Sequence, residues 1–546
     1  MDADQAHLEA LGYKEEFKRE FGLWSTFAVS FSVLGLLPSI ASTLFYGMGY
    51  AGTAGMTWGW LIAMVGVQSV AMSMAELCSS MPTSGGLYYA AAVLAPPKWG
   101  PLMSWLTGWS NWLCQVTAAP SVNYSTASMI LALKTLHNPE YTAKTWHVYL
   151  LTLGIMFSHG IISSMPTRFI ANFNSAGTLM NTLCLFVVLF MIVGGAQKGP
   201  DGHKFNDSHQ VWSVIDNQTD WPNGIAVLMS FISIIWTMSG YDSPFHLAEE
   251  CSNASVAAPR AIVMTSGVGG LMGWAFQIAL AYTVRDVAGV MDDELGQPFV
   301  TYLQQCLTPR FVTTITALTI ISGYFMGQAC MVAASRVAFA YARDGCYPLS
   351  FLWKQVNPYT QTPVNAVWFN WTIGQLLLLL MFAGDTAIGA IFSVGAISGY
   401  VAFTMPIGIK VFWSSDKFKP GPWNLGRWSR PCGILSVAYV ALMTPILCFP
   451  QYKGKNLDLD NFNWTVVVYF GPMLLAFLWF AIDARKWFKG PKVNIEHAIH
   501  KDHELEEQSS NGVEFLSGVE PTGSSHSNHS YENHSKAKDW ARSDQV

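Results

Sequence analysis

Long stretches without a single charged residue recur along this chain, and they constrain its fold more than any other feature. Residues 21–75, 101–133, 145–167, 169–197, 221–241, 261–284, 311–335, 355–384, 386–409, 431–452 and 461–482 contain no Asp, Glu, Lys or Arg. A helix needs about 20 mostly apolar residues to cross a bilayer. Residues 21–75 suffice for two crossings, divided at the glycine-rich 46–52, so the runs predict about twelve transmembrane helices. Only 12% of the 546 residues are charged and 51% are hydrophobic, whereas a soluble domain carries about 25% charged residues. The expectation is an all-α integral membrane protein; a large water-soluble helical protein is excluded.

Basic residues near the span ends set orientation. An even number of spans with the N-terminus inside places Lys14, Lys18, Arg19, Lys98, Arg168, Arg260, Arg336, Arg343, Lys410, Arg427, Arg430 and Arg485 on the cytoplasmic face. Lys134, Lys144, Lys198, Lys204, Arg285 and Arg310 fall opposite. Residues 1–20 read as a short cytoplasmic segment without the apolar core of a secretory signal, and 21–490 as the membrane domain. Residues 491–546 read as a disordered cytoplasmic tail, polar and without apolar periodicity. There Lys501, Lys536 and Lys538 are open to a ubiquitin ligase. The nine Cys show no metal-ligand or disulfide spacing and read as packing residues. Two glycosylation sequons, at Asn206 and Asn217, fall in an outer loop.

Two spans are interrupted in corresponding places. The first contains Gly35-Leu-Leu-Pro-Ser-Ile-Ala-Ser42, and the sixth contains Ser239-Gly-Tyr-Asp-Ser-Pro244. Glycine and proline loosen a helix and free its peptide groups, and an ionisable residue at membrane depth is costly without a task. Paired interruptions of this kind point to a transporter built from inverted repeats. Freed N–H groups favour a carboxylate, freed C=O groups favour an ammonium or cation, and Asp242 adds a negative charge.

Longer motifs carry a resemblance. Phe31-Ser-Val-Leu-Gly-Leu-Leu-Pro-Ser-Ile-Ala-Ser42, the segment 74–89 with Glu76 and Gly85-Gly86, the segment 240–250, Ala258-Pro-Arg-Ala-Ile262 and the segment 334–348 resemble the amino acid–polyamine–organocation permeases. They are closest to the fungal GABA and choline permease subgroup, and the likeness extends from about Leu11 to Gly490. The resemblance implies twelve spans in a five-plus-five inverted-repeat fold with broken first and sixth helices, and secondary active uptake at the plasma membrane. Proton coupling is common in the group. Some bacterial relatives carry a Lys in the fifth span as a stand-in for sodium; 169–196 has none here, only Asn172, Asn174 and Asn181 as polar candidates.

The expected substrate site is therefore Pro38, Ser39, Ile40, Ala41 and Ser42 of the first span with Trp236, Ser239, Gly240, Tyr241 and Asp242 of the sixth. Asp242 takes an amine or a proton, since a buried carboxylate must meet a cation or be neutralised. His246, one turn on, is a candidate relay. Glu76, Glu249 and Glu250 are expected to form an inner gate near Arg260, Arg336 and Arg343, and Ser335 is a candidate ion site. Trp109, Trp112, Tyr124, Trp236 and Tyr241 are the aromatics available for an ammonium cage. A GABA-like zwitterion is the favoured substrate, with a choline or polyamine permease as one alternative and a transporter-like nutrient sensor as another. No nucleotide loop, metal-ligand pair or nucleophile motif marks an enzyme. The expected partners are a small amino acid or amine, protons and membrane lipids, with no cofactor and no nucleic acid.

Overall fold

The computed structural model describes residues 19, 21–199, 202–292, 295–415, 418–459 and 461–491. The ubiquitin-type sites Lys501, Lys536 and Lys538, with Lys14 and Lys18, lie outside these residues. Contacts divide the chain into Met1–Ile495 and Glu496–Val546, and the described residues all belong to the first unit.

Helices dominate, and among the described residues the sole β feature is a single bridge between Phe21 and Cys251. In chain order the first are α1 (Leu23–Leu34), α2 (Leu36–Ala54), α3 (Trp60–Ser80), α4 (Gly86–Leu94), α5 (Gly100–His137), α6 (Thr145–Ser163) and α7 (Thr167–Gly195). There follow α8 (Ser208–Ser213), α9 (Asn223–Thr237), α10 (Ser243–His246), α11 (Ala254–Thr283), α12 (Val287–Met291), α13 (Pro298–Cys306) and α14 (Pro309–Arg343). The last are α15 (Ser350–Trp353), α16 (Val364–Leu378), α17 (Asp385–Phe412), α18 (Ser429–Ile446) and α19 (Thr465–Ile482). Among the described residues, eight helical stretches are long and apolar enough to cross a membrane; one of them, Leu23–Ser80, runs through 58 residues. That stretch is bent at Gly35 and again at Gly52, whose φ values are 45° and 60°. The second bend falls inside the glycine-rich segment expected to divide two spans.

Polarity is arranged inside-out. Phe190, Leu271, Leu475 and Ile482 are about two-thirds exposed, whereas Glu76, Asp242, Glu249, Glu250 and Arg336 are buried. Water would reverse this arrangement, and a hydrocarbon surround favours it. At the centre, α5 packs against α14 and α17, while α1 and α2 pack against α11 and α9 respectively. The two interrupted segments therefore lie deep in the bundle, beside α5, α14 and α17.

Candidate functional site

The first interruption is a single left-handed residue. Gly35 closes α1 by donating to the Phe31 carbonyl at 3.1 Å, and α2 starts at the next residue. Pro38 fits the third position of α2, where a helix has no intrahelical use for an N–H. The Ser39 N–H already bonds the Gly35 carbonyl at 3.0 Å. The N–H groups without an intrahelical partner thus belong to Leu36 and Leu37, two residues before the expected set Pro38–Ser42. Ser39 repairs the break itself, its hydroxyl donating to the Leu34 carbonyl at 2.9 Å. Ile40 and Ala41 are buried in packing. Ser42 donates to Pro38 O at 2.6 Å and to Ser125 Oγ at 2.7 Å.

The second interruption is longer. After Thr237 the chain turns through Gly240, with φ 120°, before α10 begins at Ser243 with Pro244 in its first turn. The interruptions meet. Ser30 Oγ donates to the Gly240 carbonyl at 3.2 Å, and a Cβ at Gly240 would fall 2.7 Å from Val33 Cγ1. Only glycine permits both this φ and this approach.

Asp242 stands at the entrance of α10 and is 1% exposed. Its Oδ2 accepts from Gln115 Nε2 at 2.7 Å and lies 3.2 Å from His246 Nε2, so the expected Asp242–His246 pair forms. Among the described residues Oδ1 takes no hydrogen bond, which leaves one carboxylate oxygen uncommitted. Asn111 Nδ2 stands 3.4 Å from His246 Nε2. Gln115 and Asn111 were not anticipated, although two buried amides four residues apart within an uncharged span share one helix face, and that spacing was readable.

The aromatics available for an ammonium cage are engaged elsewhere, except Tyr124, which lines a separate cavity. Trp109 and Trp112 pack on Tyr347, Tyr241 packs on Tyr400 and Phe403, and Trp236 packs edge-on against Phe392 at 5.1 Å. Ser239 donates back to the Ile235 carbonyl at 2.8 Å. The separate cavity, of about 440 Å³, is lined, among the described residues, by Ser42, Tyr46, Tyr50, Tyr124, Ser125, Gln297, Phe392, Phe449, Tyr452 and others, with no charged side chain among those described. Ser42 is the one predicted substrate-site residue on its wall. Asp242 is not among its lining residues.

The acid–base pairs form with partial changes of partner. Glu249 meets Arg343 at 3.1 Å and also accepts from the Ser84 N–H at 2.9 Å. Glu250 meets Arg336 at 3.1 Å. Glu76 pairs instead with Lys410 and accepts from Ser429 Oγ at 2.6 Å and the Leu425 N–H at 3.2 Å. Arg260 is exposed and takes no part. The three glutamates, Arg336 and Lys410 are buried, and Arg343 is partly buried. Phe21 clips the same region through bonds with Glu250 O and the Ser252 N–H. Ser335 accepts from Arg336 Nη1 at 3.3 Å, so a fixed cation already occupies the place proposed for a mobile one. The sequon amides are engaged as well. Asn206 Nδ2 donates to the carbonyls of Ala281 and Val284, and Asn217 Nδ2 donates to Trp221 O and Asn223 Oδ1.

A buried bundle with two touching helix breaks and one uncommitted carboxylate oxygen defines a membrane carrier of small solutes. The profile of the amino acid permease family matches residues 21–475, and the chain belongs to that family. It is 57% identical to an uncharacterized amino-acid permease of Schizosaccharomyces pombe, over 92% of this chain and 93% of that one. It is 53% identical to a candidate polyamine transporter of Candida albicans, over 91% and 90%. Amino-acid permease BAT1 of Arabidopsis thaliana is 30% identical, over 91% and 97%. The protein is thus a permease, not an enzyme.

Proposed function

We propose that the protein is a secondary active transporter that imports a small amine-bearing solute, an amino acid or a polyamine, by alternating access with protons as the coupling ion. On this reading the interrupted segments belong to the first and sixth of twelve spans in an inverted repeat, and both termini are cytoplasmic. The observation that carries it is Asp242, a buried acid beside two freed helix ends with Oδ1 uncommitted. That oxygen suits an ammonium. A GABA-like carboxylate would turn to the N–H groups of Leu36 and Leu37 at the start of α2, a helix N-terminus. Arg336, Arg343 and Lys410 are each already paired with a glutamate, which weighs toward the amine end of the substrate.

The cavity lies on the side assigned to the exterior, and the three glutamate ion pairs lie on the side assigned to the cytoplasm. This is the arrangement of a carrier open outward and latched inward. The likeness to a candidate polyamine transporter supports polyamines as the leading alternative to a GABA-like substrate.

The test is uptake of labelled GABA and labelled putrescine, with choline and α-amino acids as competitors, in wild type and Asp242→Asn. Loss of uptake in a variant that still reaches the membrane supports the reading. Wild-type uptake by Asp242→Asn removes Asp242 from the mechanism.

A further inference from the structure

The third-span helix α5 presents Asn111 and Gln115, one turn apart, to the Asp242–His246 pair. All four side chains are buried, none more than 5% exposed. Gln115 and His246 converge on the same oxygen, Oδ2, at 2.7 and 3.2 Å. His246 Nε2 is in turn approached by Asn111 Nδ2 at 3.4 Å. An imidazole nitrogen either donates or accepts, and an amide presents a donor on one side and an acceptor on the other. With a proton on Nε2, the ring donates to Oδ2, and the matching face of Asn111 is its oxygen. With the proton on Asp242 Oδ2, Nε2 is bare, and the matching face of Asn111 is its NH₂. The structure has the NH₂ toward the ring, while Asn111 Oδ1 and His246 Nδ1 have no partner. That is the arrangement for a proton on Asp242.

Resting on the proposed proton coupling, we infer that Asn111 and Gln115 are positioning residues for the coupling proton. Gln115 fixes Oδ2 as the oxygen that exchanges it, which keeps Oδ1 for the substrate amine. The Asn111 amide turns over as the proton moves. In that step the Oδ2–H bond breaks and an Nε2–H bond forms, so a neutral pair becomes a carboxylate and an imidazolium with no other reactant. The titratable groups facing Asp242 from neighbouring elements are Cys114 on α5, Cys330 on α14 and Tyr400 on α17, with Tyr241 beside it in its own segment. Cysteine and tyrosine are ordinarily uncharged near neutral pH, so no fixed charge competes for the proton.

The experiment is uptake of labelled GABA and labelled putrescine across pH 4.5–8, as assay conditions, in Gln115→Glu and Asn111→Leu. Gln115→Glu keeps the shape and puts a second carboxyl beside Asp242, and the midpoint of the pH profile should rise by about one unit or more. Asn111→Leu should move the midpoint too, and Asn111→Gln should restore part of the shift. If Gln115→Glu does not reach the membrane, Gln115→Met removes the donor without adding charge and should also raise the midpoint. Profiles that superimpose on wild type, with only the maximal rate lowered, mean a packing role and overturn the inference. A flat wild-type profile with an active Asp242→Asn would overturn the proposed function. A pH-dependent wild type, an inert Asp242→Asn and unmoved midpoints in the α5 variants would overturn the inference alone.

Discussion

Arg343 grips Glu249 with two N–H···O bonds of 3.1 Å, one from each terminal guanidinium nitrogen to a separate carboxylate oxygen. The Glu249 side chain is 1% exposed. A forked pair of this kind is geometrically specific, and its members are costly to separate in a dry interior. Arg343→Met should therefore destabilise the protein by about 3–5 kcal/mol, because Glu249 is left charged and unpaired. Adding Glu249→Leu should recover most of that loss. Thermal unfolding in detergent checks both, and equal melting of the single and double variants would contradict the pairing.

Gly240 and Gly35 both have left-handed backbone, yet they should tolerate substitution differently. At Gly240 the added Cβ meets Val33 Cγ1 at 2.7 Å with the Leu34 and Val33 backbone just behind, at a φ of 120°. At Gly35 it meets Met326 Sδ, Cγ and Cβ at 2.5, 2.6 and 2.9 Å at a φ of 45°; the thioether can swing aside, and the Cβ contact must be relieved by a small shift. Backbone strain of this type costs about 1–3 kcal/mol. Gly240→Ala is expected to abolish uptake. Gly35→Ala should retain part of it and regain more when combined with Met326→Ala. Uptake normalised to surface protein decides between them, and equal losses at both positions would count against this ranking.

Much of the architecture was legible because hydrocarbon is an exacting solvent. Charge-free runs marked the helices, and Gly35 and Gly240 marked the interruptions, since each must adopt a backbone that other residues rarely accept. Asp242 and His246 were legible as well, through the cost of burying an acid and the four-residue spacing. Partner choice was not. Glu76 meets Lys410, far along the chain, and nothing local distinguishes that partner from Arg260. The shift of free N–H groups from Pro38–Ser42 to Leu36–Leu37 was hidden for another reason. A break made by one left-handed residue is shorter than the motif that announces it.

Glu76 holds two polar partners besides Lys410, so its neighbours should differ in what their removal costs. Ser429→Ala deletes the 2.6 Å bond to Glu76 and the 2.9 Å bond that Ser429 Oγ accepts from Lys410 Nζ, while Lys410 and the Leu425 N–H still reach Glu76. A loss of about 1.5–3 kcal/mol fits a hydrogen bond to a charged group. Lys410→Met leaves a buried carboxylate without its cation, and the larger penalty of about 3–5 kcal/mol applies. Glu76→Gln in the Lys410→Met background should restore stability. Melting temperatures in detergent rank the three variants, and the order Lys410→Met above Ser429→Ala would be inconsistent with this pairing.

Neither sequon should carry a glycan. Transfer needs the amide nitrogen, and Asn206 Nδ2 is held by Ala281 O at 2.9 Å and Val284 O at 2.6 Å. Asn217 Nδ2 is held by Trp221 O at 2.7 Å and Asn223 Oδ1 at 3.1 Å. Glycosidase treatment of protein from a eukaryotic host is expected to leave its gel mobility unchanged. Asn206→Asp should instead lower stability, because the two carbonyls lose their donor. A mobility shift that disappears in Asn206→Gln or Asn217→Gln would show that these loops open before folding is complete.

Asp220 joins two loops, 214–222 and 450–456, and gives them an acid-sensitive contact. Its Oδ2 accepts from the Lys453 N–H and from Asn456 Nδ2, each at 3.0 Å. These bonds, the Lys453 N–H first, favour the charged form and hold the carboxyl below its ordinary value of 3.8. A group whose folded pKa is depressed contributes stability that is fully present above its unfolded pKa and is lost as pH falls through the folded one. The melting temperature of wild type should therefore exceed that of Asp220→Ala by a constant margin at pH 6 and 7, chosen as assay points. The margin should narrow once the pH drops below about 4, where the unfolded carboxyl begins to take up its proton. Because a backbone N–H outweighs the Lys453 charge among the causes, added salt should leave most of the margin intact. A margin that is indifferent to acid, or that vanishes in salt at neutral pH, would mean that the two loops are joined by charge alone or not joined through Asp220.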